Sequence, residues 1–283
     1  MKHLLTVFAL FALFIFTADI ASAAIKVSPA IITIDASKVK KDYITGSFSV
    51  GGGKDETIRF KVYPEFFEHN QKGDYVSLPD KGQPNSLMGK LKFYPQEFTC
   101  KDGADQKVRF TITDLKTLPV GESRLVLFLE DTKTKELIIR RANGEIGGKI
   151  IVKTRVGVPI YLDRGNYTKR GALDSVVFKK DENEYECAYK ITSSGNSRIN
   201  YSGFGYVSQG DKLIKQFVVN GSSVDPNKSL ERIQKIDGLK DLIADGQEYK
   251  IKFVVTYKDE NDREKVLKKE FMFIPNKPTQ IKI

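Results

Sequence analysis

The chain has 283 residues, a formal net charge of +10, 40% hydrophobic and 11% aromatic residues, 22 glycines and no tryptophan. This much apolar material excludes a disordered polymer, and the length exceeds the roughly 100–150 residues of one ordinary domain, so two cores are expected. The basic residues are scattered, without an aromatic-basic motif or zinc spacing, and nucleic-acid binding is set aside.

Residues 1–23 read as a secretory signal peptide, with Lys2 at the start, a largely apolar run Leu4–Phe16, and small residues Ala21, Ser22 and Ala23 before the cleavage point. The rival reading is a retained anchor, but the run falls short of the roughly 20 residues that a spanning helix needs. No stable membrane span is therefore expected. The mature chain is placed in the periplasm or otherwise outside the cytoplasm, and because Lys2 and Asp19 leave together its charge stays at +10.

From Ile25 onward, apolar residues alternate with polar ones and helical spacing is scarce. Short runs at 25–35, 43–50, 57–67, 90–98, 107–113, 123–131 and 146–163 are separated by Gly, Asp, Lys and Pro turns. Seven such runs predict an all-β, immunoglobulin-like sandwich over residues 24–163. Between the last two lies a Lys/Arg-rich connection, Asp131–Gly148, with a hairpin signal at Asn143 and Gly144. It is either a contact surface or a flexible loop. The stretch at 164–174 reads as a linker, and residues 164–283 as a second, smaller sandwich, with a helical turn expected only within Ser229–Gly246.

Few residues suggest chemistry. His69, the one histidine of the mature chain, lies in the polar stretch "EHNQKGD" and reads as an exposed loop residue with no nucleophile motif beside it. Cys187 shares a strand face with Tyr185, Tyr189 and Ile191 and reads as a core residue, while Cys100 precedes a turn. A bond between them is permitted by an oxidising compartment but disfavoured by their separation. "KDENEYE" and "KDENDRE" read as hairpin turns without calcium-loop spacing. No catalytic residue, metal site or cofactor is expected. The runs Lys38–Lys41 and Lys265–Lys269 read as solvated edges that discourage sheet-to-sheet aggregation, or as attraction to an anionic envelope. Four Asn-x-Ser/Thr sequons, at Asn166, Asn200, Asn220 and Asn227, are attributed to chance.

One ordered set of segments resembles a known family. "VSP" at Val27–Pro29, "YPEFFE", "LKFYPQEFT", "LPVGESRLVLFLED", a long connection, a strand ending "RVGVPIYLD" and then "ITSSGNSRINYSGFGYV" are together similar to the periplasmic pilus-assembly chaperones (PapD-like). The resemblance implies two immunoglobulin-like domains, the last strand of the first lending its edge to a secreted, pilin-like subunit, and possible delivery to an outer-membrane usher. Gly148, Ile150 and Val152 fall where the donated row would lie, although alternation alone also permits Ile150 and Val152 to cover their own core. The family's two basic anchors for a subunit carboxylate are absent at the matching positions, Ala30 and Ile31 on the first strand and Gly157 on the last. Arg155 is the candidate substitute, on the same strand face as Gly157. The alternative function is a secreted envelope-associated structural or adhesive module without a client. Such a module would close the edge at 148–156 with the Asp131–Gly148 connection.

Overall fold

The computed structural model describes residues 25–79, 82–140, 146–181 and 184–275. Residues 1–23, read from sequence as a signal peptide, and the Asn143-Gly144 turn signal lie outside them. The described chain is all-β, built as two sandwiches with separate cores.

In the first sandwich, one sheet orders β1 (Ile25–Ser28), β3 (Tyr43–Gly52), β8 (Asp105–Thr113) and β6 (Leu91–Tyr94). The facing sheet orders β2 (Ile32–Asp35), β12 (Arg155–Arg164), β9 (Gly121–Asp131), β4 (Thr57–His69) and β5 (Tyr75–Leu78), with β7 (Glu97–Lys101) also on β4. Alternation does the sorting. Along β9, Leu125, Leu127 and Leu129 enter the core with Phe48, Phe60, Phe110 and Ile160, while Val126 and Phe128 face the other way. Each such side chain contributes roughly 1.5–3 kcal/mol by leaving water.

Two of the expected runs are each two strands. The run at 25–35 breaks at Pro29 and that at 90–98 at Pro95, and in both cases the halves join different sheets. Proline has no N–H to continue a ladder, so the chain changes sheets there. The run at 146–163 also divides, into β11 (Ile146–Val152) and β12, and the Asp131–Gly148 connection is not a loop: it contains β10 (Lys135–Arg140), which pairs with β11.

The second sandwich faces β13 (Gly171–Asp181), β14 (Glu184–Ser193) and β17 (Ser229–Ile236) against β16 (Lys212–Val224), β15 (Ile199–Gln209), β18 (Tyr249–Lys258) and β19 (Glu264–Phe273). Tyr185, Cys187, Tyr189 and Ile191 enter its core as expected. The helical turn expected within Ser229–Gly246 is absent among the described residues. Leu230 and Ile236 are buried while Glu231 and Ile233 are exposed, a period of two that pairs β17 with β14, and turns follow. Cys100 and Cys187 are free and buried in different cores.

Candidate functional site

Strand β12 pairs with β9 along its full length but with β2 only from Ile160 to Asp163, so Arg155–Pro159 carry a strand on one side alone among the described residues. Beyond Arg155 the ladder continues through a bond from Asp131 N–H to the Thr154 carbonyl (2.9 Å) into the β10–β11 hairpin. There β11 has no partner other than β10 among the described residues.

Gly148, Ile150 and Val152 share one face of β11, and Gly148 lies opposite Ile139. Ile150 is 47% and Ile151 63% exposed, and Ile138 and Ile139 are each 51% exposed. Of the two alternatives for Ile150, covering its own core is therefore excluded: neither sandwich core contains it. The polar residues of the hairpin are tied to each other, with Lys149 Nζ 2.8 Å from Glu136 Oε1.

At the hairpin root, Lys153 Nζ lies 3.3 Å from Glu130 Oε1, and the Tyr63 hydroxyl donates to Glu130 Oε2 at 3.0 Å. Tyr63 and Lys153 hold the Glu130 carboxyl below the usual carboxylate range. Arg155 stacks on Phe128, its guanidinium carbon 4.2 Å from the ring centroid, and reaches Glu65 Oε1 at 3.4 Å. Gly157 lies opposite Phe128, and a Cβ there would sit 2.9 Å from Val126 Cγ2 and 3.1 Å from the Phe128 ring. A basic side chain does not fit at this position without displacing both. Ile31 is 57% exposed and supplies no charge.

On the same sheet face as Arg155, a charge cluster joins the two sandwiches. His69 is not the exposed loop residue its polar neighbours suggested: it closes β4, is 8% exposed, and packs edge-on against Phe67 and Tyr75. Its backbone N–H donates to Asp225 Oδ2 at 3.0 Å and its Nδ1 lies 2.7 Å from Asp225 Oδ1. Arg124 bridges Asp225 (2.5 Å) and Glu122 (2.8 Å). Arg198 pairs with Glu122 at 2.9 Å, donates to Thr33 Oγ1 at 2.8 Å, and lies 3.3 Å from the Tyr161 ring centroid. Burial pushes the Asp225 carboxyl up, but His69 and Arg124 more than reverse this and hold it well below the usual range. Burial raises Asp163, which Ser197 Oγ at 2.7 Å and Lys169 only partly counter.

The β4–β5 turn adds a main-chain link between sandwiches, as Glu231 N–H of β17 donates to the Gln71 carbonyl at 2.8 Å. Nearby, Lys228 reaches Glu68 at 2.7 Å. None of this cluster was identified from sequence. The available signal was Arg124, a cation directly beside the run Leu125, Val126 and Leu127 with no polar neighbour to explain it on its C-terminal side.

No protein-family model matches the chain, and no curated protein matches it in sequence. Among solved structures, it is similar to the class 5 fimbriae chaperone CfaA at 14% identity, over 87% of this chain and 98% of that one, with a TM-score of 0.44. The chain resembles fimbrial chaperones of known structure. It is also similar to the Pseudomonas aeruginosa CupB2 chaperone (9% identity, 86% of this chain, 99% of that one, TM-score 0.42) and the E. coli chaperone DraB (11%, 87%, 97%, 0.41). At these identities and TM-scores no residue of this chain inherits a role from theirs.

Proposed function

We propose that the mature chain is a periplasmic chaperone that caps a strand-deficient secreted subunit, of pilin or fimbrial type, by lending it the free edge of β11. Residues 24–163 and 164–283 are its two domains, signal-peptide cleavage precedes its action, and hand-over to an outer-membrane usher follows. The observation that carries this reading is the β10–β11 hairpin: β11 has no partner other than β10 among the described residues, and Ile138 and Ile139 of β10 and Ile150 and Ile151 of β11 are 47–63% exposed. Such an edge is an aggregation hazard unless it has a use, and proteins without one blunt it. Added to a partner's open sheet, its N–H and C=O groups complete the ladder while Ile150 and Val152 leave water in the partner's groove. Arg155, at the root of the hairpin, is the candidate cation for a partner carboxylate, which has to compete with Glu65 for it. No step of this function calls for catalysis.

The test is a pull-down from periplasmic extract with the mature chain, beside a doubly substituted Ile150→Asp, Val152→Asp form whose melting curve matches wild type. A small secreted subunit is expected with wild type and at least tenfold less with the variant. Equal retention, or no subunit at all, moves the assignment to a structural or adhesive envelope module.

A further inference from the structure

The four-stranded sheet of the first sandwich turns one side to the core and the other to solvent, and the period of two gives each residue its side. Phe48 and Val50 of β3 and Val108, Phe110 and Ile112 of β8 are buried, so the residues between them face out. Cross-strand pairing sets these outward residues in rows. Ser47, Arg109 and Tyr94 form one row, and Thr45, Thr111 and Lys92 the next. On the other side of the first row Lys107 faces Ser49, and beyond it Lys26 of β1 stands in the row of Gly51 and Asp105. Each of these rows holds one cation. The charge is thereby spread over the face without two cations directly opposite, where they would repel.

These cations differ from those on the other outward sheet faces. On the facing sheet Arg59 lies 2.9 Å from Glu97 and Arg155 3.4 Å from Glu65. On the β13–β14–β17 sheet Lys179 and Lys190 each lie 3.1 Å from a carboxylate, of Glu186 and Glu231, and on the last sheet Lys250 and Lys268 share Glu270. Lys26, Lys92, Lys107 and Arg109 form no ion pair among the described residues, although all four are exposed. The one carboxylate in their rows is Asp105, at the corner beside Gly51. The remaining outward positions are hydroxyl-bearing or glycine, with Tyr43 (46% exposed) at the end of β3 and Tyr94 (78%) on β6 at the sheet's edge. Lys41 adds a further cation over the Tyr43 ring, 5.5 Å from its centroid.

We propose that the outer face of the β1–β3–β8–β6 sheet docks reversibly on an anionic phospholipid surface, with Lys26, Lys92, Lys107 and Arg109 over the headgroup phosphates. Charge complementarity requires an anionic partner. The form of the face selects lipid over protein. A protein interface centres on apolar or aromatic anchors in pockets and is depleted of lysine. Here the centre is Ser47, Thr45, Thr111 and Arg109, and the aromatic residues stand at the margin, where tyrosine suits headgroup depth because one end is apolar and the other wet. The face points away from Arg155 and from the contacts with the second sandwich, so docking covers neither. It is independent of strand lending.

The test is flotation of the mature chain with vesicles of phosphatidylglycerol and phosphatidylethanolamine, beside vesicles of phosphatidylcholine alone. Binding is expected only to the anionic vesicles, weakening as salt rises from about 0.1 to about 1 M and the screening length shortens from about 10 to about 3 Å. Each cation at an anionic leaflet shifts partition about fivefold, so Lys107→Glu with Arg109→Glu should bind at least about 25-fold more weakly. Lys212→Glu with Lys240→Glu, which changes net charge equally at exposed cations of the second sandwich, should bind within about twofold of wild type. Melting curves matching wild type exclude misfolding at these exposed positions. Equal losses in the two variants would show that net charge acts and the face does not. Equal binding to both kinds of vesicle, or full displacement by millimolar inorganic phosphate, would overturn lipid docking. Binding to poly-glutamate but not to anionic vesicles, lost only with the Lys107 and Arg109 changes, would overturn it in favour of an acidic protein partner.

Discussion

Arginines occupy two regions of this molecule on the same sheet face, and their surroundings differ. Arg155, at the root of the free hairpin, has a side chain 48% exposed, and its one carboxylate contact among the described residues, with Glu65, is 3.4 Å long. Arg124 and Arg198, between the sandwiches, are 2% and 4% exposed, and each is held by more than one group at 2.5–2.9 Å. An exposed ion pair contributes little, because water and salt already satisfy both charges, whereas a buried one is costly to break because the survivor stays out of water. The first region is therefore available for a partner to rearrange. The second fixes how the sandwiches meet.

The sharpest way to break this comparison is Asp225→Ala. It removes the acceptor shared by His69 and Arg124 and leaves Arg124 with Glu122 alone, at an expected cost of about 3–5 kcal/mol. Chemical denaturation should show the loss, along with weaker coupling between the two sandwiches. A change below 1 kcal/mol would place the cluster with ordinary surface pairs. The pH dependence carries a sign. With its folded pKa below the ordinary aspartate value of about 3.9, Asp225 contributes stability that is complete above that value and lost as pH falls through the lower folded one. Asp163 works the other way. Its raised folded pKa means that the charged form is penalised above that pKa, and the penalty fades as pH falls below it. Asp163→Asn, which keeps an acceptor for Ser197, is thus expected to match or exceed wild-type stability at neutral pH by up to about 1 kcal/mol, with the difference shrinking in acid. A variant less stable at neutral pH, with the gap unchanged on acidification, would show that the Asp163 charge supports the junction.

How much of this was legible follows from how local each feature is. Strand alternation is a property of neighbours, so the β runs and the core face of Cys187 could be read directly. The sheet changes at Pro29 and Pro95 needed more, because a proline inside an apolar run marks a break without saying where the chain goes next. The stretch at Ser229–Ile236 misled because Glu231, Arg232 and Lys235 are good helix formers, and pairing with β14 overrides that preference. His69 misled for a related reason: its polar neighbours are local, but Asp225 lies 156 positions away in sequence. The alternation that sets Gly148, Ile150 and Val152 on one face of β11 was legible, and its exposure was not, since alternation does not say which face meets solvent.

The smallest expected effect tests the exposed side of the comparison. Arg155→Ala removes a guanidinium that packs on Phe128 as well as reaching Glu65, so both packing and charge contribute to the outcome. Half-exposed, the pair with Glu65 is worth no more than about 1 kcal/mol, and the cation–π contact about as much. The expected loss is about 1 kcal/mol, seen as a small shift in the denaturation midpoint with the same slope. Arg155→Lys separates the two contributions, because an ammonium keeps the charge near Glu65 but lacks the planar face that lies on the ring. If the lysine form is as weak as the alanine form, stacking holds Arg155 in place. If it is as stable as wild type, the link to Glu65 holds it, and a partner carboxylate would have to displace that acid to engage Arg155. A loss of 3 kcal/mol or more in either variant would erase the distinction between the hairpin root and the buried junction.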